Sequence, residues 1–155
     1  MSAEIQNYIS VLRERRADIL QTLEGLSADA LNWRLLPENA NSLYALTVHS
    51  LGAERRWIHA VVGQRTIERD REAEFRARGQ DVTALRAQYA VVARDSEQIL
   101  APLAAADLEA IRPLPQPRAV RWCILHVVEH YNEHLGQMRL TRQLWENRHA
   151  RPHEI

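Results

Sequence analysis

RWCILHVVEHYNEHLGQMRLTRQLW, residues 121–145, contains no proline and one glycine, and its large apolar residues return every three or four positions. That is the pattern of an amphipathic helix of about six to seven turns. His126, His130 and His134 stand at four-residue steps within it, which puts the three imidazoles in one shallow stripe on one side of the helix. Each step rises about 6 Å, so neighbours in the stripe can share one ion, whereas the outer two, about 12 Å apart, cannot. His130 belongs to both pairs and is the first candidate ligand.

Three further long helices precede this one. Ile5, Tyr8, Ile9, Leu12, Ile19, Leu20 and Leu23 form the stripe of a helix over Ala3–Glu24, with Arg13, Arg15 and Arg16 expected to be solvated and Gly25 as a stop. Ser27 caps a short turn, Ala28–Trp33, and Pro37 marks a loop. Ser42 caps a second long helix, Leu43–Val62, carrying His49, Glu54 and Trp57. Gly63–Asp81 is dense in mixed charge and balanced, which reads as a solvated crossover with a turn or more of helix, pinned by Ile67 and Phe75. Asp81 caps a third long helix, Val82–Leu100. Pro113, Pro115 and Pro117 force an extended segment before the last helix starts near Ala119. No strand is expected. The reading is all-α, a four-helix bundle with a long crossover after the second helix, in a single domain over 1–148 and a frayed tail over 149–155.

Composition bounds the function. The chain has 155 residues, enough for one proper core. Its 20 basic and 20 acidic residues cancel, so it lacks the basic excess of a nucleic-acid binder. Every basic residue is arginine, which excludes lysine Schiff-base chemistry and a P-loop lysine. One cysteine, Cys123, permits no internal disulfide and suits a reducing compartment. The polar, acidic start MSAEIQNY is unlike a signal peptide, and the longest uncharged run is too short to cross a bilayer. A cytoplasmic protein with a small-molecule substrate, and neither nucleic acid nor membrane as partner, is expected.

A lone histidine on a helix face is more often a hydrogen-bonded structural residue than a ligand. Three in register, among only seven in the chain, point to a metal, because an i, i+4 pair on a rigid helix fixes two coordination positions in advance. A catalytic ion needs a third ligand and an open position. His49 is the natural source, as the one other histidine well inside a long core helix. A rival set is Cys123, His126 and His130, since Cys123 lies about 20° round the helix from His130; the plainer reading of Cys123 is a small buried residue.

The stretch HVVEHYNEHLGQMRLTRQLW resembles the last helix of the DinB-like (YfiT-like) metalloenzymes, where two histidines stand four apart and the second is followed by any residue and then Gly-Gln. His134-Leu135-Gly136-Gln137 has that form, and Arg142 stands where an arginine is often found. SLYALTVHSLGAERRWI is similar to the family's second helix through His49, Glu54 and Trp57. The resemblance implies up-down-down-up connections and a divalent metal on His49, His130 and His134, with His126 beside them as an outer group. It also implies a homodimer, and it brings in relatives that are thiol-dependent transferases, among them mycothiol-dependent maleylpyruvate isomerases, which use a low-molecular-weight thiol.

Neutral imidazoles leave a bound ion, nickel or zinc by ligand preference, with its full charge to activate thiol or water. Gln137 and Arg142 are candidates to orient a substrate carboxylate. Glu129 and Glu133 adjoin the proposed ligands, but adjacent helix residues diverge by about 100°, so both are expected to be solvated. The functional expectation is a metal-dependent transferase of the thiol-using kind, or a hydrolase. The alternative is a non-catalytic, stress-related metal-binding homodimer, which a full set of four protein ligands would favour.

Overall fold

The computed structural model describes residues 1–38 and 40–150, the side chains of 149 and 150 excepted. Serine caps start three helices, two of them, at Ser27 and Ser42, as the sequence predicts. Ser2 accepts from the Ile5 amide at the head of α1 (Ala3–Thr22), Ser27 from Ala30 at α2 (Ala28–Asn32), and Ser42 from Ala45 at α3 (Leu43–Glu54). Each satisfies one of the orphan amides of a first turn. Gly25, at φ 74°, turns the chain after α1. Asp70 caps α4 (Arg71–Arg76), and Asp81 accepts from the Thr83 amide where α5 (Thr83–Leu100) begins. The last helix, α6, runs from Val120 to Ala150.

The packing follows the apolar stripes. α6 lies against α1 and α3, and α5 against α1 and α3. Between them Leu12, Ile19, Leu43, Leu85, Leu100 and Tyr131 are fully buried. Each such aliphatic side chain contributes about 1.5–3 kcal/mol relative to exposure. The chain is all-α apart from one small hairpin, and among the described residues no helix is long and apolar enough to cross a membrane.

The structure departs from the sequence reading in four places. The second long helix ends where expected, but its last eight residues, Arg55–Val62, widen into a π-helix, with the Gly63 amide bonded to the Ile58 carbonyl at 2.8 Å. The extended proline segment is flanked by two short antiparallel strands, β1 (Ile111–Arg112) and β2 (Arg118–Ala119), so the expectation of no strand is corrected. The prolines between them lack amide donors, which limits the ladder to two residue pairs. Arg16 is not solvated: it is 4% exposed and forks onto the fully buried Glu54, at 2.9 and 2.5 Å. Tyr131 and Ser96 also donate to Glu54, and His59 Nε2 meets Ser96 Oγ at 3.0 Å. Burial and then Glu54 raise the Tyr131 phenol, which keeps it a donor. One paired charge thus ties together α1, α3, α5 and α6. Finally, α6 continues beyond Trp145, whose ring lies 5.7 Å from Trp33. Of the expected frayed tail, 149 and 150 have helical backbone, while 151–155 lie outside the described residues.

Candidate metal centre

His49 enters from α3, His130 and His134 from α6, and the adjacency of those helices brings the three rings together. His130 Nε2 lies 3.1 Å from His49 Nε2 and 3.2 Å from His134 Nε2. Among the described residues these three form the one group of histidine, cysteine or acidic side chains whose ligand atoms all fall within 4.8 Å of one another.

The outer nitrogens define what the inner ones can do. His49 Nδ1 is 2.9 Å from the Glu74 carboxylate, and His134 Nδ1 is 3.0 Å from Gln137 Oε1. Both partners are acceptors, so both Nδ1 atoms carry the proton and both Nε2 atoms present lone pairs. His130 Nε2 faces these two lone pairs at once, and its own Nδ1 is buried without a partner. One proton on His130 can serve only one of its neighbours. A cation at the point of convergence serves all three. The spacings also fit: two nitrogens at 2.0–2.1 Å from a tetrahedral zinc are about 3.3–3.4 Å apart. Burial, then the neighbouring His134 and His49, push His130 down to about 3. Burial likewise lowers His49. Both rings are neutral at pH 7, the form that binds metal.

Glu74 belongs to the charged crossover, and it corrects the picture of that segment as solvated. The Asp70 cap starts α4 so that Glu74 falls one turn in and is buried against α3. Arg69 holds its carboxylate through Nε at 2.6 Å and Nη2 at 2.8 Å. Burial alone raises such a carboxyl; the bonds from Arg69 and His49 outweigh it and leave Glu74 below its usual range. Gly52 makes the seat: a Cβ there would collide with the Glu74 carboxylate. Phe75 stacks on His49 at 4.2 Å, with the Arg71 guanidinium over its ring.

The remaining candidates lie around the cluster and not in it. His126 is stacked on Trp122 at 4.8 Å and meets Trp57 edge-on at 4.9 Å, with its ring 6.1 Å from that of His130. It forms an aromatic wall one turn before the cluster. Cys123 is fully buried in the core, burial raises its thiol, and the set Cys123–His126–His130 does not assemble. Arg142 does not face the cluster: its Nη1 donates to the Thr22 and Glu24 carbonyls at the end of α1, and its Nε meets Glu146. Those carbonyls are the orphans a helix end leaves, so Arg142 closes α1. Glu129 and Glu133 are exposed.

A helical fold with three histidines converging from its second and last long helices defines a protein of the DinB-like type. The family model for mycothiol S-transferases matches residues 8–147, and the chain belongs to that family. No curated protein matches it. Its fold is similar to that of a DinB-like protein from Bacillus cereus, at 16% identity and TM-score 0.73 over 91% of this chain and 92% of that one. It is also similar to a conserved protein from Enterococcus faecalis, at 14% identity and TM-score 0.74 over 93% and 97%.

Proposed function

We propose that His49, His130 and His134 hold one divalent ion, nickel or zinc, and that the chain is an S-transferase acting with a low-molecular-weight thiol. The observation that carries the metal reading is the convergence of three Nε2 atoms with Glu74 and Gln137 occupying the outer nitrogens. All-nitrogen donors suit these ions over calcium or magnesium. Membership of the mycothiol S-transferase family supports thiol as the nucleophile's class. When bound, the ion supplies positive charge that favours thiolate over thiol at neutral pH.

The chain's own residues set the conditions. Glu74, held by Arg69, accepts the hydrogen bond from His49 Nδ1–H and so fixes which nitrogen faces inward. Gln137 does the same for His134. Phe75 covers one face of His49, while Gly136 leaves open surface beside His134 for a substrate to approach. Cys123 is sealed in the core, so it does not compete as a nucleophile. Among the described residues no fourth protein ligand joins the three histidines, which favours a catalytic ion with an open position over a purely structural one. As part of the same reading the protein acts as a homodimer; the exposed Trp122 and Leu125 on α6 offer apolar surface for it, and light scattering giving one chain mass would remove this element.

The test is thiol transfer by metal-loaded protein. Mycothiol and other small thiols are supplied with an electrophile, and loss of free thiol is followed for wild type and His130→Ala. Turnover in wild type alone supports the proposal. Equal rates in both proteins, or none in metal-loaded wild type, count against it.

A further inference from the structure

A second constellation lies at the other end of the π-helix. A cavity of about 350 Å³ opens between the turn after Val62 and the proline hairpin, and three arginines line it: Arg56, Arg65 and Arg112. No aspartate or glutamate is among its lining residues. Among the described residues neither Arg56 nor Arg65 has a carboxylate within ion-pair distance.

Two independent observations mark the place as built. The Arg112 Nε is buried with no acceptor, while its Nη2 reaches the Val62 carbonyl only at 3.4 Å. The Arg112 guanidinium thus keeps hydrogen-bonding capacity that the chain itself leaves unused. Gln64, at φ 52°, is the one non-glycine residue in the left-handed region among the described residues. Such backbone is held against its preference and gathers at ligand clamps. Here it turns the chain out of the π-helix so that Arg65, its amide on the His59 carbonyl at 3.0 Å, comes round beside Arg56 and Arg112. Isolated surface arginines are ordinary. Three round one cavity, one with a buried idle donor and one delivered by a strained turn, are not.

We propose that this cavity is a binding site for a compact organic oxyanion, a small molecule bearing a phosphate or two carboxylates. The planar forks of arginine match both head groups. Val61, Leu114 and the flanking prolines give an apolar wall for a short carbon body. The volume lies at the lower end of small-molecule sites, which suits a compact ligand. The site is separate from the histidine cluster: the hairpin joins α6 at Val120, ten residues before His130, or roughly 15 Å along the helix. It does not depend on the metal reading.

The test is calorimetric titration of the full chain with glycerol phosphate, succinate and inorganic phosphate. At least one organic probe is expected to saturate with a Kd of about 1 mM or tighter, and to weaken as salt is raised. Arg56→Ala and Arg65→Ala are each expected to weaken it by about tenfold or more, as loss of a charged hydrogen bond implies. The exposed Arg148→Ala is expected to change nothing. Arg112→Lys keeps the charge and loses the fork; it accompanies Arg112→Ala in case loss of the Val62 contact unfolds the turn, and melting curves report folding for all variants. Whichever organic probe binds more tightly assigns the head group. Saturation by neither organic probe, binding of inorganic phosphate alone, unchanged binding in Arg65→Ala, or an equal loss in Arg148→Ala overturns the proposal.

Discussion

Replacing Glu74 by Gln probes how the protein prepares its histidines. The substitution keeps size and one carbonyl acceptor but removes the charge to which Arg69 donates twice and His49 once. Glu74 is 8% exposed, so solvent does little to replace what is lost. Leaving one Arg69 donor without an acceptor, and its charge without a counter-charge, is expected to lower the stability of the metal-free protein by about 1–3 kcal/mol. The effect on metal is separable. An acceptor behind a ligating histidine fixes its tautomer and raises its basicity, and losing it costs about 10–100-fold in affinity, or about 1.4–2.8 kcal/mol. Competitive zinc titration against a chromophoric chelator reads the second quantity, and urea unfolding of the metal-free protein reads the first. Gly52→Ala, which pushes Glu74 from its seat, is expected to reproduce the loss of affinity. Zinc affinity within about twofold of wild type in a folded Glu74→Gln protein, against the usual range, would refute the idea that Glu74 presets His49.

Three further outcomes are expected. Glu54→Ala strands the buried Arg16 charge and is expected to destabilise by about 3–5 kcal/mol in urea unfolding, the usual result of breaking a buried pair from one side; a loss under about 1 kcal/mol would show the pair to be dispensable, as an exposed one is. His134→Ala is expected to weaken metal binding by orders of magnitude and His126→Ala to act only through its surroundings, by no more than about 10–100-fold; the reverse ranking in parallel titrations contradicts the pairing of His130 with His134. His59 is lowered by burial, so the unfolded chain takes up its proton first. Its contribution is therefore full above about pH 6.5 and falls as pH drops below that value. His59→Asn is expected to flatten the pH dependence of metal-free stability in that range, and an unchanged slope speaks against it.

How far the chain discloses itself varies with the kind of interaction. The α6 stripe and the serine caps are local patterns, so the helices and the placing of His130 and His134 on one face are legible from spacing. Bringing His49 to them depends only on the second and last long helices being neighbours. Glu74 was hidden because nothing local separates it from Glu72 in a run with five arginines and five acids. The available signal was Gly52, inside a helix three residues after His49, where a glycine marks close approach of another group. The burial of Arg16 was equally hidden, since a charge goes inside only when a distant partner, here Glu54, waits for it. Arg142 matched a family position, yet the end of α1 determines what it does. The π-helix leaves no trace in apolar periodicity, and the hairpin shows only as alternating prolines.

The most direct measurement of the central claim is metal content per chain, by mass spectrometry of proteins loaded with zinc or nickel and then dialysed, for wild type, His130→Ala and His126→Ala. The account predicts about one ion per chain in wild type and in His126→Ala, as three converging imidazoles require, and none in His130→Ala. Equal metal in wild type and His130→Ala would contradict it.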